Sequence, residues 1–221
     1  MKRYPKMKPS GIEWLGEIPE HWEVKRLKDV LSEPLKYGAN EVAELYDDQL
    51  PRYIRITDFA DDGTLKSDTF RSISENVANN YLLKEGDLLF ARSGATVGKT
   101  FLFKDYKGKS CFAGYLIKAS PLINRIKSDY LFYLTKSSYY DSWKNSIFIQ
   151  ATIQNISAEK YSYFNISLPP LNEQIAIANY LDEKTSRLDT LISNSKDEIN
   201  YLKEIRKITI QDAVTGKVKV S

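Results

Sequence analysis

From Leu171 to Thr215 the chain contains neither glycine nor proline, and no other feature restricts the fold so strongly. Pro169-Pro170 precedes this stretch and Gly216 ends it. Proline is tolerated at a helix start and breaks what comes before it. Asn172 can cap a helix, and Gly216 can close one in the left-handed conformation. The pattern predicts one helix from about Asn172 to Val214, ~40 residues and therefore ~60 Å long. A heptad register puts Ala178, Thr185, Ile192, Ile199 and Arg206 at a, and Leu181, Leu188, Ser195, Leu202 and Thr209 at d. Ile177, Leu191 and Ile205 widen the stripe at g. Six of these ten a and d positions are apolar, an imperfect coiled-coil seam within a wider bundle face. A helix this long cannot bury its stripe on one domain of ordinary size, and the chain offers no second long helix. The stripe therefore calls for another chain, unless the helix folds back as a hairpin near Ser193-Asn194-Ser195.

Residues 1–170 have a different texture, with short apolar runs split by Gly, Asp, Asn and Pro. Arg52 to Asp58 alternates, with Ile54 and Ile56 on one face, and predicts a half-buried strand. Leu88–Ala91, Gly98–Phe103 and Gly114–Ile117 predict three more. Ser128 to Trp143 has helical spacing in Leu131, Leu134, Tyr139 and Trp143, with Ser128 or Asp129 as cap. Mixed short strands and moderate helices point to an α+β fold with an irregular mixed sheet over 1–170, followed by the long helix within 171–221.

Composition narrows the function. One Cys and one His exclude an internal disulfide, a thiolate zinc site and a histidine relay. No apolar run reaches the ~18 residues of a membrane helix, and Met1 to Pro5 opens no secretory signal. A cytoplasmic protein is expected. The net charge of +3 hides a gradient. Residues 1–90 carry 13 basic and 17 acidic side chains, 91–160 carry 11 and 4, and 171–221 carry 8 of each. The positive excess thus sits in one middle block, which suits a polyanionic partner; a solvated lysine-rich face would give the same count.

Motifs that resemble catalytic ones lack their working parts. Gly94-Ala95-Thr96-Val97-Gly98-Lys99-Thr100 has three residues between its glycines where a phosphate loop needs four, and a strand follows it. Leu168-Pro169-Pro170-Leu171 has an apolar side chain where an amino-methyltransferase needs a polar one. His21 beside Trp22 reads as surface or packing, and Cys111 as a small core residue. A binding protein is expected, with no catalytic residue and no metal site.

Side chains suited to nucleic acid are spread through the chain. Tyr37, Gly38 and Asn40 form a predicted turn preceded by Lys36. Arg92 ends a strand, with Thr96 and Lys99 in the following glycine-rich stretch. Gln150, Thr152 and Gln154 form an amide-rich segment, and Arg71 and Lys144 add charge. Arginine reads guanine, Gln and Asn read adenine, and Lys and Thr hold phosphates. Arg55 and Arg92 are equally suited to ion pairs with Asp58 and Asp87.

Three stretches resemble the specificity subunits of type I restriction–modification systems. They are Lys8-Pro9-Ser10-Gly11-Ile12-Glu13-Trp14-Leu15-Gly16-Glu17-Ile18-Pro19-Glu20-His21-Trp22-Glu23-Val24, then Gly86 to Thr100, then Leu168-Pro169-Pro170-Leu171-Asn172-Glu173-Gln174 with Ile177 to Asp182 and Ala213 to Lys217. Together, in order, they span nearly the whole chain. The resemblance implies that 1–170 is a target recognition domain docking on one half of a split double-stranded DNA site. It implies that 171–221 is a helical spacer receiving methyltransferase (modification) subunits. Adenine-N6 methylation with SAM, and cleavage with ATP and Mg by a motor–nuclease (restriction) subunit, would belong to partners, with no cofactor in this chain. Family members usually carry two recognition domains and two helical regions; one of each is present here. Two copies pairing through Ala178, Leu181, Leu188, Leu191, Ile192, Ile199, Leu202 and Ile205 would rebuild the two-domain form and read an interrupted palindrome. A half-gene product or fragment that needs a longer partner is the rival account. The shared glycine-rich stretch implies scaffold or phosphate contact, leaving base reading to loops near 36–40, 71–80 and 139–154. A free-standing DNA-binding regulator and a coiled-coil interaction module remain open as alternatives.

Overall fold

The computed structural model describes residues 4–42, 46–60, 64–148 and 154–220. The clipped apolar runs before Pro170 become β1 (Met7–Pro9), β2 (Glu17–Pro19), β3 (Glu23–Arg26), β4 (Lys36–Tyr37), β5 (Arg52–Ile54), β6 (Leu88–Ala91), β7 (Thr100–Leu102), β8 (Ser110–Phe112), β9 (Leu116–Ala119) and β10 (Asn165–Leu168). Helices are α1 (Glu75–Ala78), α2 (Ser128–Leu134), α3 (Ser138–Phe148), α4 (Ala158–Ser162) and α5 (Leu171–Val214). The class is α+β, as expected, with a long C-terminal helix.

Strands β4, β9, β6 and β7 join in that order as an antiparallel sheet. β5 and β8 pair in parallel, while β1–β2 and β3–β10 are antiparallel pairs. Successive strand residues face opposite sides. Leu88 and Phe90 of β6 enter one core with Ile117, Leu131, Trp143 and Phe164. Leu89 and Ala91 enter a second, with Ile54, Phe101, Phe112 and Leu116. Burial on both faces is why β6 reads as an unbroken apolar run.

Several local expectations are corrected. Only Arg52–Ile54 of the alternating segment is strand, and all three residues are buried. The Asp58 carboxylate accepts the Arg55 backbone N–H and its guanidinium, each at 2.8 Å, and so bends Ile56–Asp58 into a 3-10 turn. Lys36–Tyr37, expected at a turn, is strand β4. The predicted helix from Ser128 to Trp143 is two helices. Thr135 Oγ1 donates to the Phe132 carbonyl and Ser137 Oγ to that of Leu134, both at 2.7 Å, competing with the helical ladder. Neither Ser128 nor Asp129 is the cap; Lys127 holds that position. In α5 the Pro170 carbonyl accepts the Glu173 and Gln174 N–H groups, so the helix starts ahead of Asn172. It runs unbroken through Ser193-Asn194-Ser195, which sets the hairpin aside. Gly216, at φ +73°, closes it, with the Lys217 N–H on the Asp212 carbonyl at 2.9 Å.

The chain divides into two compact units, Met1–Ala178 and Asn179–Ser221. In the second, every residue from Ser186 to Gln211 is exposed. The apolar positions Leu188, Leu191, Ile192, Ile199, Leu202 and Ile205 are 41–56% exposed. Leu181 is half-buried, and Ala178 is buried within the first unit.

Two side chains fasten the first turn of α5 inside the first unit. Gln174 is fully buried. Its Oε1 accepts the Lys127 N–H at 2.8 Å, and its Nε2 donates to the Arg125 and Pro169 carbonyls at 3.0 and 2.9 Å. Glu173 accepts from Tyr4 Oη and Trp22 Nε1 at 2.9 and 3.0 Å and contacts His21 Nε2 at 2.6 Å. Partial burial works to raise the Glu173 pKa, but bonds to His21, Trp22 and Tyr4 outweigh it and hold the carboxyl below its usual range.

Gln174→Ala removes the partner of one N–H and two carbonyls at buried and part-buried positions, so urea unfolding should show a loss of about 2 to 4 kcal/mol. For Glu173 the sign follows from its lowered pKa: its contribution is present above the ordinary carboxylate value and lost as pH falls through the lowered one. The stability gap between wild type and Glu173→Gln should therefore shrink between about pH 7 and about pH 3.

Candidate nucleic-acid interface

Three connections meet at one end of the four-stranded sheet. The first joins β6 to β7 through Arg92–Lys99. It is drawn tight by the Ala91 N–H on the Lys99 carbonyl at 2.9 Å and the Gly98 N–H on the Ala91 carbonyl at 2.8 Å. Gly98 has φ +80°, and a side chain there would strike Lys144 Cδ at 2.3 Å. The glycine therefore serves both the turn and the passage of the lysine stem. The second connection is Ala113-Gly114-Tyr115 between β8 and β9, held by the Arg92 N–H on the Tyr115 carbonyl at 3.0 Å. The third is the exit of β4 through Gly38 to Asn40. The Asn40 amide covers Gly114 so closely that a Cβ there would lie 1.9 Å from Oδ1.

Strand periodicity then places the side chains. Phe90 and Ile117 pair across β6 and β9 and point into the first core. Two residues further along, Arg92 and Tyr115 lie on the same face, beyond the rim of that core. The Arg92 guanidinium lies 4.8 Å from the centroid of the Tyr37 ring. Tyr37 Oη accepts the Ala158 N–H at 2.9 Å, fixing the ring to the start of α4. Arg92 Nε is buried and has no hydrogen-bond partner among the described residues. Tyr115 is 68% exposed although its carbonyl is bonded to the Arg92 N–H.

The basic side follows from Gly98. Lys144 packs its stem there, pairs with Asp141 at 2.7 Å and lies 5.8 Å from the Tyr140 ring centroid. Lys99 is exposed, and its N–H donates to the carbonyl of half-buried Thr96. Lys136 donates to the Thr100 carbonyl at 2.9 Å. Although the residue as a whole is exposed, packing around its ammonium, and secondarily the charge of Lys99, lower its pKa to about 8.

Of the expected residues, Tyr37, Asn40, Arg92, Thr96, Lys99 and Lys144 gather at this end. Gln154 is exposed, next to Asn155, which bridges to Ser93. Lys36 belongs to another cluster: it and Lys118 pair with Glu33 at 2.5 and 3.0 Å, and the Glu33 carboxyl is held down at about 2. Arg71 is half-buried and donates to the Phe70 carbonyl at 2.7 Å. Gln150 and Thr152 lie outside the described residues. The two open ion pairs resolve differently. Arg55 pairs with buried Asp58, whereas Asp87 accepts from Ser120 Oγ at 2.7 Å and the Lys84 N–H at 2.8 Å, not from Arg92. Sequence reasoning missed Tyr115 and Lys136. Tyr115 read as the start of a strand, and Lys136 as part of a continuous helix.

No group of acids, histidines and cysteines among the described residues is arranged to hold a metal ion. Burial pushes the Cys111 thiol up to about 12, so it is no nucleophile. No helix among the described residues is long and apolar enough to cross a membrane. The assembled end offers a guanidinium on an aromatic ring, an exposed tyrosine, an amide and lysines, and among the described residues no carboxylate pairs with Arg92. Such a surface suits phosphates and base edges.

Comparison with known proteins agrees with this reading of the fold. The putative type I restriction enzyme MjaX specificity subunit of Methanocaldococcus jannaschii is 31% identical over 201 residues, covering 87% of this chain and 45% of that protein. The EcoKI specificity subunit of Escherichia coli K12 is 27% identical over 92% of this chain and 44% of its own length. Among solved structures, the HsdS subunit from Thermoanaerobacter tengcongensis superposes with a TM-score of 0.62 at 19% identity, covering 96% of this chain and 48% of that one. A chain from work on complex assembly and conformational transition of the type I R-M system gives 0.68 at 21%, over 89% and 46%. This chain thus spans about half the length of the relatives it matches. The family model for the type I restriction modification DNA specificity domain matches residues 19–201, and the chain belongs to that family.

Proposed function

We propose that this chain is the DNA-reading, non-catalytic specificity component of a type I restriction–modification complex. The observation that carries the reading is the convergence of Arg92, Tyr37, Asn40, Tyr115, Lys99 and Lys144 at one sheet end in a member of this family. On this reading the lysines and Thr96 hold phosphates and set the register on the duplex, while Arg92, Asn40 and neighbouring loop residues read base edges. Adenine-N6 methylation and restriction are carried out by partners: methyltransferase subunits using SAM, and a motor–nuclease subunit using ATP and Mg. No cofactor is assigned to this chain, and its place of action is the cytoplasm, where those partners meet DNA.

One recognition domain reads one half-site. The exposed stripe at Leu188, Leu191, Ile192, Ile199, Leu202 and Ile205 supports antiparallel pairing with a second copy, which would supply the other half-site. A spacer of ~60 Å can hold two domains over successive turns of B-DNA, each roughly 35 Å. The boundary between recognition domain and spacer is set near Pro170.

Methylome sequencing of cells expressing this chain with its modification subunit should show a single interrupted N6-methyladenine motif. A proven assembly that produces no motif would overturn the reading. In light scattering the 25.4 kDa chain should give twice that mass. Leu188→Lys with Leu202→Lys should return it to a monomer that keeps its helical circular dichroism; a wild-type chain that stays monomeric at high micromolar concentration would rule out pairing.

A further inference from the structure

Among the described residues, every exposed tyrosine of the first unit but one has a side-chain contact inside the fold. Tyr4 donates to Glu173, and Tyr46 lies edge-on to Phe70 with centroids 5.6 Å apart. The Tyr163 ring has the Lys28 ammonium 4.4 Å from its centroid, and Tyr37 holds Arg92 and the Ala158 N–H. Tyr115 is the exception: among the described residues its hydroxyl has no hydrogen bond and its ring no aromatic or cationic neighbour. Its backbone, in contrast, is held firmly. The Ala113 N–H sits on the Ile54 carbonyl at 2.9 Å and the Gly114 N–H on the Ala39 carbonyl at 2.7 Å. The Leu116 N–H closes the turn on the Ala113 carbonyl at 2.9 Å, and the Tyr115 carbonyl takes the Arg92 N–H at 3.0 Å. An exposed tip ordinarily moves. This one is clamped between the exits of β4 and β6, so a partner has only the two side-chain torsions of the tyrosine to order.

The position of the ring follows from register. β6 and β9 pair as far as Ala91 with Leu116, and the Arg92–Tyr115 bond continues the ladder by one pair. Side chains directly opposite in an antiparallel pair share a face, with Cβ atoms roughly 5 Å apart. An aromatic ring is thus mounted beside the guanidinium. Base edges in the major groove present donors and acceptors and one apolar group, the C5-methyl of thymine. Adenine methylation at both halves of an interrupted palindrome requires an A·T pair in each half-site, and with it that methyl group. We propose that Tyr115 is a specificity-determining residue whose ring packs on the methyl group of a thymine beside the base edge that Arg92 reads. This rests on the DNA reading above. The contact carries no charge, so it discriminates between sequences without adding to the salt dependence.

The test uses the full chain with its modification subunits, a random duplex and a duplex carrying the methylation motif. In further motif duplexes each thymine is replaced in turn by deoxyuridine, which removes only the methyl group. Tyr115→Ala should weaken binding to the motif duplex about tenfold, leave the random duplex unchanged and keep the salt slope. Tyr115→Phe should bind both duplexes as wild type does. One deoxyuridine position should weaken wild type about fourfold and have no effect on Tyr115→Ala. Thermal melting reports whether each variant keeps its fold, and Tyr115→Gln, which also lacks the ring, replaces the alanine variant if that one melts early. Wild-type affinity of the ring-less variant for the motif duplex overturns the proposal. So does a Tyr115→Phe loss as large as that of alanine, which would assign the contact to the hydroxyl. An equal loss on both duplexes, or a deoxyuridine scan with no position that depends on Tyr115, overturns it as well. Motif binding by wild type with any of these results leaves the DNA reading standing; no binding to either duplex removes that reading and this residue's role together.

Discussion

Strands β6 and β9 pair along their whole length with no solvent face on β6, and the candidate interface is built on that pairing. Leu88, Leu89, Phe90 and Ala91 are all fully buried, alternately in two cores. A slip of one residue would exchange the two sets and drive Phe90 into the wrong core. The register is also pinned by polar groups. Lys118, buried in β9, reaches Glu33 at 3.0 Å and Asp87 at 3.9 Å. Burial raises the Asp87 pKa against the pull of Ser120, Lys84 and Lys118, while Glu33 is held down. Such a cluster gives uniqueness of register more than stability, since desolvation offsets much of the attraction.

Fixed register has a direct chemical result. Because side chains alternate, the face that carries Phe90 and Ile117 in the interior must carry Arg92 and Tyr115 where the sheet ends. The interface is therefore the outer continuation of the core pattern. The glycines contribute by absence: Gly38, Gly98 and Gly114 sit where a Cβ would strike a neighbour's backbone, a lysine stem or an amide. This accounts for a glycine-rich connection that resembles a phosphate loop without its spacing.

Much of this was legible in the sequence where one rule acted alone. The glycine- and proline-free stretch predicted α5, and runs bounded by glycine predicted β6, β7 and β9. Reading failed where a side chain overrode the local pattern. Asp58 cut short an alternating strand, and Thr135 and Ser137 broke a helix whose apolar spacing continued across them. The helix expected to be capped by Ser128 or Asp129 instead has Lys127 at its cap position, with the Lys127 N–H held by the distant Gln174. The site followed the same division. Arg92 and Lys99 stood in a recognisable stretch, whereas Lys136 gained its position only from the broken helix. Tyr115 gained its position only from the pairing of distant strands.

The ring of Tyr37 joins two duties, holding the Arg92 guanidinium on its face and the first amide of α4 on its hydroxyl. An arginine on a free surface samples many rotamers and must give them up on meeting a partner, at a cost of about 0.5 to 1.5 kcal/mol. Here that ordering occurs when the domain folds. On the DNA reading proposed above, the guanidinium would meet its partner already aimed, and a wrong base edge would face a group that cannot swing aside to accommodate it. On that reading stiffness, achieved with one aromatic ring, would become a source of discrimination.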